Sequence, residues 1–293
     1  MNARAGSRDP MTLQGKTIVA TGATSGIGEK AVEALAAQGA RVLFVARDPA
    51  RAQATQARLE TFAPGRGHKA YIADLSAVRE GKRVGAEIAA AEPSIDVLVN
   101  NAGATYSDRR VTAEGLERTF ALNHMSYFTL TAMLLDRLKA APAARIVSTA
   151  SRAHFGPGLD FDDLQAEKSF SGWRAYQRSK LANVLFTREL ARRLKGTSVT
   201  ANCLHPGVVA SRFADEAGGW TAPVFGLAKR LIGISSEKGA DTIVYLVSSP
   251  EVAGVSGEYF AKRRVAPISQ AARDDAAARR LWEVSEALMA ADA

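Results

Sequence analysis

Tyr176 and Lys180 stand four residues apart in a stretch of helical periodicity, which sets a phenol and an ammonium on one helix face. A phenol with a reference pKa of about 10 exchanges protons poorly at neutral pH, and a neighbouring cation favours its anion, so the pair suits acid-base chemistry. An arbitrary Y-x-x-x-K more often joins a half-buried tyrosine to a solvated lysine, and it acquires meaning from its surroundings. Ser151 follows a β-branched run at 144–149, where a strand end can present its hydroxyl. Upstream, KTIVAT leads into Gly22, Ala23, Thr24, Ser25, Gly26, Ile27 and Gly28, and a helical stretch begins directly. Glycines there let the backbone approach a pyrophosphate, while the free N–H groups and positive end of the helix stabilise its charge. The string GIGEKA (26–31) also fits G-x-G-x-x-G/A, a weak signal that gains strength from following the first strand.

Holding these groups together calls for repeated βα units. Runs at 16–21, 41–46, 69–73, 95–99, 144–149, 198–204 and 257–260 read as strands. Helical periodicity falls at 26–38, 50–61, 76–90, 112–139, 173–194 and 236–248, and a further helix closes the chain. In the first helix Ile27, Ala31, Ala34 and Leu35 share an apolar face, and Gly39 is a C-cap signal. Alternating strands and helices predict an α/β fold, and right-handed crossovers place helices on both faces of a parallel sheet. With 47% of 293 residues apolar, the chain can bury a sizeable core. The domain is expected to span 12–293, with 1–11 a disordered arm. Two stretches, 152–172 and 211–235, interrupt the alternation and are expected to build the substrate pocket and its lid.

Composition narrows the partners. The net charge of +8 comes from scattered pairs such as Arg109/Arg110, Arg192/Arg193 and Arg263/Arg264, without the aromatic interleaving of a nucleic-acid surface. Arg263 and Arg264 read as solvated or paired with helix carboxylates. The lone cysteine, Cys203, excludes an internal disulfide, and no Cys/His cluster has metal-ligand spacing. Cys203 reads as a buried inert thiol, and His154 and His205 as structural residues. No apolar run reaches the roughly 18 residues of a membrane span and no apolar signal core is present, so a cytoplasmic location is expected.

Further motifs follow in order: Asp74-Leu75 after the third strand, Asn100-Asn101-Ala102-Gly103 after the fourth, Asn123 in the next helix, then Tyr176-Gln177-Arg178-Ser179-Lys180 and Pro206-Gly207. With TGATSGIG, they make the chain resemble the short-chain dehydrogenase/reductase superfamily over 12–290. RIVSTASRAH (145–154), KLANVLFTRELARRLKG (180–196), HPGVV (205–209) and ARDDAAARRLWEVSE (272–286) make it most similar to the retinol dehydrogenase-like branch, which includes WW-domain oxidoreductases. It departs in Ala150, where the branch often has a second serine, and in placing the hydroxyl after the Pro-Gly turn at Ser211.

The resemblance implies a single doubly wound Rossmann domain whose parallel seven-stranded sheet, order 3-2-1-4-5-6-7, carries helices on both faces, and an oxidoreductase that interconverts an alcohol and an aldehyde or ketone. Tyr176 would give its proton to the carbonyl oxygen while nicotinamide delivers hydride, and Ser151 would donate a hydrogen bond to that oxygen. Lys180 would bind the ribose hydroxyls and hold down the tyrosine pKa, and Asn123 would hold a water relaying protons to solvent. The implied cofactor positions are Gly22, Thr24, Ser25, Gly26, Ile27, Gly28, Arg47, Asp74, Leu75, Asn101, Ala102, Gly103, Tyr176, Lys180, Pro206, Gly207 and Val209.

Cofactor choice turns on VLFVARD (42–48). An NAD site places a carboxylate where this register has Ala46; Arg47 follows and can clamp a 2′-phosphate, while Asp48 reads as the cap of the next helix. NADP(H) is expected, with NAD(H) the alternative. Val224, Phe225, Leu227, Ala228, Leu231 and Ile232, with Phe155, Leu159, Phe161 and Phe170, predict a pocket for hydrophobic or aromatic carbonyls. The same helix could pack on the core or form a homo-oligomer contact. A non-catalytic NADP(H) sensor and a methyltransferase are rival readings, and neither needs the Tyr/Lys pair.

Overall fold

The computed structural model describes residues 12–207 and 235–291. The expected arm at 1–11, Val209, Ser211 and nearly all of the expected lid lie outside the described residues. Strands β1 (Thr17–Thr21), β2 (Arg41–Ala46), β3 (Lys69–Ile72), β4 (Val97–Asn100), β5 (Ala144–Thr149), β6 (Val199–His205) and β7 (Tyr259–Ala261) pair in parallel, in the order β3-β2-β1-β4-β5-β6-β7. Central strands such as VLVN are buried throughout, because helices cover both faces of the sheet.

Helices α1 (Gly26–Ala37), α2 (Pro49–Phe62) and α7 (Ser236–Ser248) flank the sheet on one side; α3 (Val78–Ala91), α5 (Ser126–Lys139), α6 (Gly172–Arg193) and α8 (Asp275–Ala290) flank the other. Successive strand residues feed the two cores alternately: Ile18 and Ala20 join the first, Val19 the second. Burying Leu43, Phe44 and Leu98 completely contributes roughly 1.5–3 kcal/mol each.

Among the described residues the sheet has eight strands, not the expected seven. β8 (Arg264–Val265) turns back antiparallel on β7, with Lys262 and Arg263 at φ 51° and 61° forming the two-residue turn. Neither residue belongs to the Gly/Asn/Asp set that signals such a turn, so the hairpin left no mark in the sequence. Arg263 Nε donates at 2.7 Å to Asp241 on α7, the helix carboxylate pairing expected of it.

The expected helix at 112–139 is broken up. Val111 and Glu117 form an isolated bridge, and Glu117 then caps the three-residue α4 (Arg118–Phe120) by accepting from Thr119 and Phe120 N–H. A π-helical turn, Ala121–Met125, leads into α5. The 152–172 connection opens with a 3-10 helix, Arg152–Phe155. Leu159 and Phe161 pack into the α6/α8 side, with Arg280 4.5 Å over the Phe161 ring; these two side chains line a separate depression, not the main cleft. Among the described residues no helix is long and apolar enough to cross a membrane.

Candidate active site

The carboxyl ends of β1, β4, β5 and β6 open on one cleft of about 790 Å³. Thr21 stitches two of them together: its Oγ1 accepts from Asn101 N–H at 2.9 Å and Ala102 N–H at 3.0 Å. Asn101 then donates from Nδ2 to the Gly22 carbonyl (3.3 Å) and accepts at Oδ1 from Thr149 (3.0 Å), tying the β5 end to the glycine loop. A Cβ on Gly22 would stand 2.9 Å from Ala102 backbone, so the turn closes only without a side chain.

Thr24, Ser25, Gly26, Ile27 and Gly28 line the cleft beside Gly22. Ser25, at the N-cap of α1, makes no side-chain hydrogen bond to the helix, which leaves the first-turn amides available to an anion. Ala102, Gly103, Pro206 and Gly207 complete the wall. Three expected contacts fall outside it. Asp74 accepts from Ser76 N–H and O–H at 3.0 and 2.8 Å, Leu75 is buried in the core, and Arg47 stands exposed at the end of β2.

At the other end, α6 carries Tyr176 and Lys180 on one face, as their spacing predicts. The Tyr176 hydroxyl is hydrogen-bonded to the Ser151 side chain, whose Oγ also accepts from Ala153 N–H at 3.1 Å. Lys180 is buried and donates from Nζ to the Thr149 carbonyl at 3.0 Å; the Nζ sits 5.7 Å from the Tyr176 ring centre. Burial pushes the phenol up to about 12, opposed by the Ser151 hydrogen bond, and pushes the ammonium down to about 7. Burial of both groups works against the expected lowering of the tyrosine pKa by Lys180.

Asn123 is fully buried in the π turn, with both amide protons and one acceptor position of its side chain engaged. Oδ1 accepts from Ala104 N–H (2.8 Å), and Nδ2 donates to the Ala104 carbonyl and the Ser179 hydroxyl (2.9 Å each). Ser179 in turn donates to the Tyr176 carbonyl at 2.8 Å, so Asn123 clamps the β4 loop to the catalytic helix. Gly103 packs against this clamp; a Cβ there would lie 3.1 Å from Asn123 Oδ1 and 3.5 Å from Lys180 Nζ.

The histidines are structural, as expected. His154 Nε2 accepts from Ser269 N–H at 3.2 Å, so Nδ1 carries the proton and donates to the Ser151 carbonyl at 2.6 Å. That fixes the backbone that presents the Ser151 hydroxyl. His205 accepts from Arg152 N–H at 3.4 Å on the cleft wall, and burial with nearby Arg152 brings it down to about 4. Cys203 is buried and its thiol is pushed up to about 12.

Asp48 caps α2, accepting from Ala50 and Arg51 N–H at 2.9 and 3.1 Å. The sequence reading missed Arg51, Ala54 and Arg58, which line the cleft from α2. Their spacing of three and four was a legible signal that one face of α2 turns toward the loop. Arg58 is held by Glu29 (2.9 Å), Glu33 (3.1 Å) and Thr55 (3.0 Å), leaving Arg51 the more available cation. An open helix N-terminus, a loop with glycines at 22, 26 and 28 and cations from the next helix fit a dinucleotide phosphate, in a cleft within the usual range of about 300–1,000 Å³.

A family model for short chain dehydrogenase matches residues 16–221. The chain is 39% identical to human retinol dehydrogenase 14, covering 96% of this chain and 88% of that protein. It is 36% identical to human retinol dehydrogenase 13, over 96% and 87%. Among solved structures, a protein from Mycobacterium paratuberculosis superposes with TM-score 0.77 at 30% identity over 96% of each chain. RhlG of Pseudomonas aeruginosa, solved as an NADP active-site complex, gives 0.68 at 27% over 85% of this chain and 95% of that one.

Proposed function

Since the chain belongs to the short-chain dehydrogenase family and is an oxidoreductase, we propose that it interconverts an alcohol and an aldehyde or ketone with NADP(H), acting on a hydrophobic or aromatic substrate. The observation that carries this reading is the Tyr176 hydroxyl hydrogen-bonded to Ser151, with Lys180 one turn on, at the mouth of the phosphate-binding loop. Bound nicotinamide dinucleotide supplies or accepts the hydride. Tyr176 holds the proton destined for the substrate oxygen, and Ser151 shares a second hydrogen bond with that oxygen as negative charge develops. Lys180 would hold the ribose hydroxyls, while Gly22 to Gly28, Asn101 to Gly103, Pro206 and Gly207 would hold the rest. Asn123 keeps the β4 loop and α6 in register.

The substrate preference is supported by two exposed rings. Trp173, 60% exposed, lies 5.7 Å from the Tyr176 ring, and Phe155, 52% exposed, ends the 3-10 helix that Ser151 begins. The relatives' names point to retinol, an apolar alcohol, in agreement. A panel of small polar, long-chain and aromatic aldehydes and ketones, run with NADPH and NADH, tests the function. Higher kcat/KM for the apolar members with NADPH is expected; equal efficiency on glyceraldehyde-like compounds overturns the substrate class. Binding of NADPH without consumption on any carbonyl leaves the cofactor-sensing reading in its place.

NADP(H) preference is supported by Asp48, whose carboxylate is occupied at the α2 N-cap, and by the nearby Arg47 and Arg51. Arg47→Ala is expected to weaken NADPH roughly ten- to a hundredfold and leave NADH nearly unchanged, since a charged hydrogen bond contributes about 1.5–3 kcal/mol. Fluorescence titration with both cofactors is the check. Equal loss of both, or tighter NADH binding by the wild type, overturns the assignment.

A further inference from the structure

We propose that His124 is a positioning residue that acts through Asn183 to set how far Lys180 reaches into the cleft. The inference rests on the proposed role of Lys180.

His124 neighbours Asn123 in the π turn and is fully buried, its ring centre 5.1 Å from Phe120 and 6.0 Å from Phe186. A leucine or phenylalanine would fill this cage without desolvating two ring nitrogens, so the imidazole is costly unless both are used. Nε2 lies 2.8 Å from the Ser285 hydroxyl on α8. Nδ1 is buried with no hydrogen-bond partner at ordinary distance, and so is Asn183 Oδ1. Asn183 is also the polar side chain that acts on the imidazole. The single Ser285 hydroxyl proton has two acceptors in reach, Nε2 and the Leu281 carbonyl at 2.7 Å; the tautomer protonated at Nδ1 turns it to Nε2 and pairs the two orphans, whereas the other tautomer keeps the Leu281 bond but sets two buried acceptors face to face.

Asn183 follows Lys180 by three residues on α6. Its Nδ2 donates at 3.3 Å to the Thr149 carbonyl, the same oxygen that accepts Lys180 Nζ at 3.0 Å. Holding Asn183 by Oδ1 therefore divides that carbonyl between amide and ammonium and keeps the remaining Lys180 protons turned toward the cleft. Released, the amide could turn away, and Thr149 would draw the ammonium back as a stronger single acceptor. The titratable groups facing the ammonium are the phenols of Tyr127 and Tyr176, at 5.9 and 5.7 Å to their ring centres. Burial holds the imidazole down to about 3, so the arrangement is not lost to protonation at working pH.

The test follows the Lys180 Nζ resonance by NMR in 15N-lysine-labelled, cofactor-free protein, assigned with Lys180→Met. Wild type is expected to titrate at about 7. His124→Leu should move the midpoint up by about one unit, because the carbonyl is no longer shared and the charged form gains an acceptor. His124→Asn, whose amide stands near the Nδ1 position, should return most of that shift. In turnover, His124→Leu should lower kcat about tenfold with little change in KM for the carbonyl. A folded Leu variant with an unmoved midpoint, or an Asn variant displaced as far as Leu, overturns the proposal. Should the Leu variant not fold, Asn183→Ala frees the same carbonyl and must raise the midpoint likewise. Failure of the wild type to reduce any carbonyl would count against the proposed function alone, because the titration needs no turnover.

Discussion

Tyr176→Phe is expected to cut carbonyl reduction by about two to four decades while leaving NADPH affinity within roughly threefold of wild type. The substitution keeps the ring, and with it the contact to Trp173, and removes only the hydroxyl bonded to Ser151. Burial raises that phenol to about 12, so the protonated form, the donor needed for reduction, persists well above the ordinary value. The sign of the pH dependence follows. Reduction should be flat from about pH 6 to 9 as far as Tyr176 is concerned, whereas alcohol oxidation needs the phenolate and should climb as pH rises. Steady-state rates in both directions, with cofactor titrations on the same preparations, provide the check. A phenylalanine variant turning over within threefold of wild type would remove Tyr176 as the proton donor.

The sheet order came with the ordered motifs of the resemblance, whereas strand positions were legible because buried parallel strands announce themselves as β-branched runs, VLFVA and RIVST among them. The eighth strand was not, since Lys262 and Arg263 adopt positive φ without the residue types that signal it. The break at Arg118 was hidden for a different reason. The string from Thr112 to Lys139 keeps helical spacing, but the cap formed by Glu117 and the π turn around Asn123 are tertiary choices, made where Ala104 and Ser179 together hydrogen-bond the Asn123 side chain.

The proposed catalytic set was readable as motif plus spacing, and the structure brings Ser151, Tyr176 and Lys180 to one cleft. The adenosine side was read less completely. Arg51 and Arg58 carry no motif of their own and reach the cleft only because α2 crosses back over the loop. Leu159 and Phe161 show the converse: their apolar character suggested a wall of the substrate pocket, yet they pack against the α6/α8 core and line a separate depression.

The glycine loop yields a prediction of comparable size. A Cβ on Gly28 would stand 2.0 Å from the Gly22 carbonyl oxygen and 2.5 Å from Asn101 Nδ2. The side-chain contact can be relieved by a rotamer; the carbonyl contact cannot, because it belongs to the turn whose next strand-to-loop bonds run through Asn101 and Ala102. Gly28→Ala must therefore push α1 away from the loop, at an overpacking cost of about 3 kcal/mol or more. The same movement withdraws the first-turn amides from the anion, so NADPH affinity should fall by about two decades, beyond any loss traceable to stability. Gly158 supplies the control: nothing lies within 4 Å of a Cβ built there, and Gly158→Ala should change stability by less than about 0.5 kcal/mol. Thermal unfolding separates the two variants first, and titration of the folded fraction with NADPH then decides the role of the loop. A Gly28→Ala protein that binds NADPH like wild type would show that the phosphates are held elsewhere than at the α1 N-terminus.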